Sequence, residues 1–213
     1  MDVLAQLARA TSPHLTWYAD GGAERVELSG RVLTNWMIKA ANLLDEEGVD
    51  TDSIVGIDLP VHWRAAVWAC AAWLRGARVR FSEDGPSLSE ADVVVTNDPE
   101  FWADGAELVI AVPLAPLALS WAGDDLPRGV LDGAADLMSQ PDVLISPAAA
   151  LAPKGSGSDE RVALRPTTNE WVCGAIPRWA RGGSVVILQG IDEFTSHRLA
   201  AQEGAVLLAP GES

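Results

Sequence analysis

The chain has 213 residues, 48% of them apolar, with 30 Asp and Glu against 15 Lys and Arg and a formal net charge of −15. That length builds one large or two small domains around a buried core and calls for neither disulfide nor metal. The acidic balance repels phosphate backbones and anionic headgroups, so nucleic acid and membrane surfaces are not expected partners.

In chain order, Asp2 and Arg9 interrupt the apolar pattern that a signal peptide requires. Ser29 reads as an N-cap, followed by Val32, Leu33, Trp36, Met37, Ala40, Leu43 and Leu44 at helical spacing, and Gly48 as a stop. Residues 54–59 are a β-rich run closed by Pro60. From 63 to 74 the chain is apolar nearly all round, which predicts a helix covered on more than one side. Within it Trp63, Trp68 and Trp73 advance about 140° per step, so their rings spread over different faces. Gly76 ends that helix and 77–81 returns as a strand.

Compact runs at 93–95 and 108–112 suit buried parallel strands. Residues 131–139 predict a short helix and 143–145 a further strand, while 148–159, with Gly155-Ser156-Gly157-Ser158, reads as a mobile loop. A helix over 168–181, the Gly182-Gly183 break and a strand over 184–188 follow, then a helix over 194–203, a break at Gly204 and a strand over 205–208. The alternation predicts an α/β fold, a mostly parallel β-sheet flanked by helices. The expected division is a first α/β subdomain over 1–147, a loop or linker over 148–160, and a second α/β segment over 161–213 packing with the first.

Chemistry-bearing residues are sparse. No G-x-G-x-x-G opens a helix and no G-x-S-x-G elbow occurs, and His14, His62 and His197 lack metal-ligand spacing. His62 follows Pro60 at a strand-to-helix turn, the end of a doubly wound sheet where ligands bind, which makes it a candidate binding residue. The plainer reading is a polar residue in a helix's first turn. Asp58 lies inside an apolar run and must be solvated or paired, with Arg64 or Arg80 as expected partner. Cys70 and Cys173 sit in apolar helical stretches and read as buried thiols of a protein from a reducing cytoplasm.

Three segments resemble the acyl- and aryl-CoA synthetase, adenylation-domain and luciferase (AMP-binding) superfamily. The first is Val26-Glu27-Leu28-Ser29 with the helix bearing Ala40-Ala41-Asn42-Leu43-Leu44, then Gly48-Val49 and Asp52. The second is Ile54-Val55-Gly56-Ile57-Asp58-Leu59-Pro60, the Ala/Trp-rich helix and Gly76-Ala77. The third is Trp179-Ala180-Arg181-Gly182-Gly183-Ser184-Val185-Val186-Ile187-Leu188, followed by Ala205-Val206-Leu207-Leu208-Ala209-Pro210. The chain is most similar to a small actinobacterial group of shortened homologues.

The resemblance implies an ATP-phosphate loop like T-S-G-T-T-G-x-P-K-G, but the corresponding stretch reads Ser146-Pro147-Ala148-Ala149-Ala150-Leu151-Ala152-Pro153-Lys154-Gly155. Pro offers no N–H to a phosphate and Leu crowds the backbone away from an anion, so only Pro153-Lys154-Gly155 matches. Lys154 is then the one candidate nucleotide contact beside His62. With Ser213 as last residue, the family's adenine pocket, ribose-binding acid and C-terminal catalytic lysine are expected to have no counterpart. The expectation is a degenerate homologue with no catalytic residue and no cofactor, acting as a cytoplasmic binding or interaction module with a protein partner or a second copy of itself. The alternatives are half of a split ligase that retains a nucleotide or acyl ligand, and an oligomeric scaffold.

Overall fold

The computed structural model describes residues 2–82, 86–152, 155, 157–167 and 169–209, with the backbone alone for Pro86 and Ser87. In the first half come α1 (Val3–Arg9), β1 (Pro13–Ala19), β2 (Glu24–Ser29), α2 (Gly30–Glu46), β3 (Ile54–Asp58), α3 (Trp63–Leu74), β4 (Arg78–Phe81) and β5 (Val93–Thr96). Then follow α4 (Pro99–Trp102), β6 (Leu108–Ala111), β7 (Leu131–Asp132), α5 (Ala135–Ser139), β8 (Arg161–Leu164), α6 (Trp171–Trp179), β9 (Ser184–Leu188), α7 (Glu193–Gln202) and β10 (Val206–Leu207). The chain divides into two compact units that interleave in sequence: Met1–Thr34 with Val61–Trp63 and Ala150–Ser213, and Asn35–Pro60 with Arg64–Ala149. Residues 1–34 and 61–63, grouped on sequence with the rest of 1–147, thus go with the last third of the chain, because β1 pairs in parallel with β9.

The first unit is built on a sheet of order β10-β8-β9-β1-β2, parallel throughout except for the β1–β2 hairpin. The sequence reading missed this hairpin. Its turn is Asp20-Gly21-Gly22, three residues with positive φ, and β2 behind it alternates as an edge strand should. The register puts Thr16, Tyr18, Val186, Leu188, Arg161 and Ala163 on one face. At one end of that face Tyr18, Ala163, Val186 and Leu188 form a core with Ile191, Leu199 and Ala200 of the α7 segment. Each large aliphatic side chain so buried stabilises the fold by about 1.5–3 kcal/mol. Asp192 caps α7, its carboxylate accepting from the Thr195 amide at 3.0 Å.

The second unit carries an all-parallel sheet of order β4-β3-β5-β6-β7. β5 is buried at every position, and so is α3 apart from a half-buried Trp73, as expected for elements covered on both sides. α2 begins as predicted, with Ser29 Oγ accepting from the Val32 amide at 3.2 Å. It ends at Gly48, whose φ of +80° lets the Val49 amide reach back to Leu44 O.

Four local expectations are corrected. Residues 131–139 do not form one helix: β7 occupies the first two, and Asp132 Oδ1 accepts from the Ala134 and Ala135 amides, starting α5 only there. Residues 143–145 are not a strand, because Asn42 takes their backbone groups. Asn42 Nδ2 donates to Pro141 O (3.1 Å) and Val143 O (2.9 Å), and its Oδ1 accepts from the Ile145 amide (3.1 Å). Lys39, one turn earlier, donates to Gln140 O and pairs with Asp142. Cys70 is buried but Cys173 is exposed, on the side of α6 opposite Trp171, Val172, Ala175 and Trp179. Among the described residues Asp58 pairs with neither Arg64 nor Arg80.

Asn42 is 1% exposed, so Asn42→Ala strands three backbone groups at once. We expect a loss of about 2–3 kcal/mol, seen as a fall of several degrees in the thermal midpoint.

Candidate functional site

The stretch in phosphate-loop position turns its polar backbone inward. The Ala149 amide donates to Leu74 O at 2.7 Å, Pro147 O accepts from Arg75 Nη1 at 3.2 Å, and Leu151 is 2% exposed. Lys154, with Pro153 and Ser156, lies outside the described residues. Within 148–159, read as a mobile loop, Gly157 packs on the backbone of α6: a Cβ there would stand 2.3 Å from the Pro177 carbonyl carbon. Glycine at this position serves close approach to a helix.

His62 is 1% exposed, its ring 4.6 Å from that of Trp17 in an edge-on contact and 5.6 Å from that of Trp63. Trp17 Nε1 donates to the neighbouring Val61 O at 3.2 Å. The imidazole is thus part of an aromatic cluster.

At the carboxyl ends of the second sheet, where doubly wound folds bind ligands, two acids face the strand ends. Asp58 closes β3 and accepts from Thr96 Oγ1 at 3.0 Å and Trp102 Nε1 at 2.7 Å. Asp132 closes β7 and accepts from the Trp121 amide at 2.7 Å besides capping α5. Arg64 at the start of α3 is 1% exposed, donates to Ala118 O at 2.6 Å, and stacks 5.0 Å from the Trp36 ring. Burial pushes its guanidinium down to about 10, opposed by the charge of Asp132. These groups are occupied with fixing loops and helix starts. No group of three or more His, Cys, Asp or Glu able to hold a metal occurs among the described residues.

Among the described residues the densest polar cluster lies in the first unit. Arg161 opens β8 and donates to Glu203 O (3.0 Å), Ser184 Oγ (3.1 Å), Thr16 Oγ1 (2.8 Å) and Glu203 Oε2 (2.6 Å). Glu203 Oε1 accepts from Tyr18 Oη at 2.6 Å and Arg25 Nη2 at 3.0 Å. Burial alone would raise the Glu203 carboxyl, but the hydrogen bonds from Tyr18, Arg161 and Arg25 outweigh it and hold it below the ordinary range. Burial and the Glu203 contact raise the Tyr18 phenol. Sequence reasoning passed over this cluster, though a signal existed. Glu203 stands at a helix C-terminus, where a negative charge is unfavourable without a partner, and Arg161 opens an apolar strand.

No protein-family model matches the chain. Among curated proteins a TIGR03089 family protein of Mycobacterium tuberculosis is 36% identical over 142 residues, covering 61% of this chain and 55% of the relative. Among solved structures, an acyl-CoA synthetase of Brucella canis superposes with a TM-score of 0.74 at 16% identity, over 97% of this chain and 47% of that one. The acetoacetyl-CoA synthetase of Streptomyces lividans gives 0.69 at 16% identity, over 96% and 41%. The N-terminal subdomain of NpsA from Klebsiella oxytoca, in complex with 3-hydroxyanthranilyl-AMSN, gives 0.63 at 11% identity, over 96% and 58%. The chain thus spans about half the length of the relatives it matches, and its fold is that of the N-terminal part of an acyl-adenylating enzyme.

Proposed function

We propose that this chain is a non-catalytic binding or interaction module on an acyl-CoA-synthetase-like fold. The observation that carries the reading is the stretch 146–152, where alanines, Leu151 and Pro147 replace the glycines and hydroxyls that would wrap a triphosphate. The Ala149 amide, a natural anion donor in such a loop, is spent on Leu74 O. With a net charge of −15, the partner we propose is a protein in the cytoplasm, or a second copy of the chain, rather than nucleic acid or membrane. No helix among the described residues is long and apolar enough to cross a membrane.

A second reading, that the chain still binds a nucleotide or acyl ligand as half of a split ligase, is favoured by the NpsA N-terminal subdomain in complex with 3-hydroxyanthranilyl-AMSN. It assigns the phosphate contact to Lys154. Thermal unfolding with millimolar ATP–Mg²⁺, AMP and acyl-CoA separates the two. A ligand at about 100 times its dissociation constant adds about 2.7 kcal/mol, several degrees in a chain of this size. We expect no shift with any of the three and no substrate-dependent pyrophosphate exchange. A shift with ATP or AMP that Lys154→Ala removes would put the split-ligase reading first.

A further inference from the structure

A cleft of about 390 Å³ opens at the amino end of the first sheet, where β1, β8 and β9 begin. Ser12, His14, Glu27, Arg161, Ser184 and Glu203 line it. Its volume is that of about a dozen water molecules, enough for a small organic ligand. What such a ligand would meet follows from the hydrogen-bonding capacity left over on the walls.

The donors are largely spent. Arg161 has its Nε, its Nη1 and both bonds from its Nη2 directed at Glu203, Ser184 and Thr16. Acceptors remain. His14 is 4% exposed, and its Nδ1 lies 3.0 Å from Ser12 O. A carbonyl can only accept, so Nδ1 carries the proton, and Nε2 of the neutral ring is an acceptor. Among the described residues this buried Nε2 has no hydrogen-bond partner. A buried polar atom in that state is destabilising, a cost that a ligand's N–H would relieve. Of roughly four lone-pair sites on the Glu27 carboxylate, Arg25 takes one. The Glu203 carboxylate is taken up by Tyr18, Arg25 and Arg161, so the acceptors left for a ligand are His14 Nε2 and the rest of the Glu27 carboxylate.

We infer that this cleft is a binding site for a small protonated amine, whose N–H groups are donated to His14 Nε2 and the Glu27 carboxylate. The inference stands apart from the question of nucleotide binding, since none of the described residues of 146–155 is among the walls. The test uses the full chain with ethylamine as probe. Tetramethylammonium, of equal charge but without N–H groups, and acetate are the controls. Thermal unfolding and the imidazole nitrogen resonances of His14 are followed together. Ethylammonium should raise the midpoint saturably and move the Nε2 resonance of His14, and the two controls should do neither. Glu27→Gln should weaken the amine about tenfold and His14→Phe should abolish its effect. If His14→Phe does not fold, the wild-type resonance decides alone. An equal response to tetramethylammonium, a response to acetate in place of the amine, or a His14 resonance indifferent to ethylammonium would each overturn the assignment.

Discussion

Glu203→Ala should cost about 3–5 kcal/mol and lower the thermal midpoint by roughly ten degrees. The side chain is 8% exposed and is the shared acceptor for Tyr18, Arg25 and Arg161. Truncation leaves the Arg161 guanidinium, 18% exposed, against Thr16 and Ser184 without a counter-charge. Removing one member of such a group costs more than the pair ever contributed, because the remaining charge stays desolvated. Glu203→Gln, which keeps the shape, should fall between wild type and Glu203→Ala. A Glu203→Ala protein as stable as wild type would show that water, and not the carboxylate, satisfies the two arginines.

The same residue sets an acid dependence. The folded state holds its carboxyl below the ordinary value of 4.5, so folding favours the ionised form. The stabilisation is therefore complete above that ordinary value and is lost as pH falls through the lower, folded-state value. The stability gap between wild type and Glu203→Gln should be constant near neutrality and close in acid. At the alkaline end Tyr18 behaves oppositely. Its phenol is raised above 10.0, so its contribution is present below that value and is lost as pH rises through the higher, folded-state one.

Gly183→Ala is the second large effect, about 2–3 kcal/mol by urea unfolding. A Cβ at Gly183 would lie 2.5 Å from Ser158 O and 2.9 Å from Glu160 O, both backbone atoms that cannot rotate aside. Its neighbour Gly182 differs in kind. There a Cβ meets nothing nearer than Gln6 Nε2 at 3.6 Å, and the obstacle is its φ of +86°. Gly182→Ala should cost roughly 1 kcal/mol, the conformational penalty alone. Equal losses at the two positions would mean that the chain from Ser158 to Glu160 yields to the added methyl.

Most of the second sheet was legible because each of its buried strands is a short apolar run bounded by a turn residue. Gly76 and Pro60 punctuate it as their backbone chemistry dictates. The first sheet was legible only in its later half. β1 is buried at six consecutive positions from His14 to Ala19, so it lacks the alternation that marks a half-exposed strand, and its parallel partner β9 is remote in sequence. Residues 143–145 misled for the opposite reason. Their β-branched side chains promised a strand, but Val143 and Ile145 are 67% and 57% exposed and their backbone bonds go to Asn42.

The candidate site was less legible than the fold. His62 was singled out by its position after a strand, and in the fold its ring lies against two indoles. His14 was set aside for want of metal-ligand spacing, and its distinction is one unsatisfied nitrogen. Spacing cannot report that. It depends on Ser12 O claiming Nδ1 and on strands from the far end of the chain walling the ring in.

The interleaving of the two units bears on how the chain is made. Tyr18 and the Glu203 that accepts its hydrogen bond are 185 residues apart. At about 5–20 residues per second a ribosome would deliver the second roughly ten to forty seconds after the first. For that interval the β1–β2 hairpin carries a strand edge and aromatic side chains awaiting β9, while the contiguous stretch Arg64–Ala149 is already synthesised. The nascent β1–β2 hairpin is therefore a segment that a chaperone should engage, and slow translation prolongs its exposure.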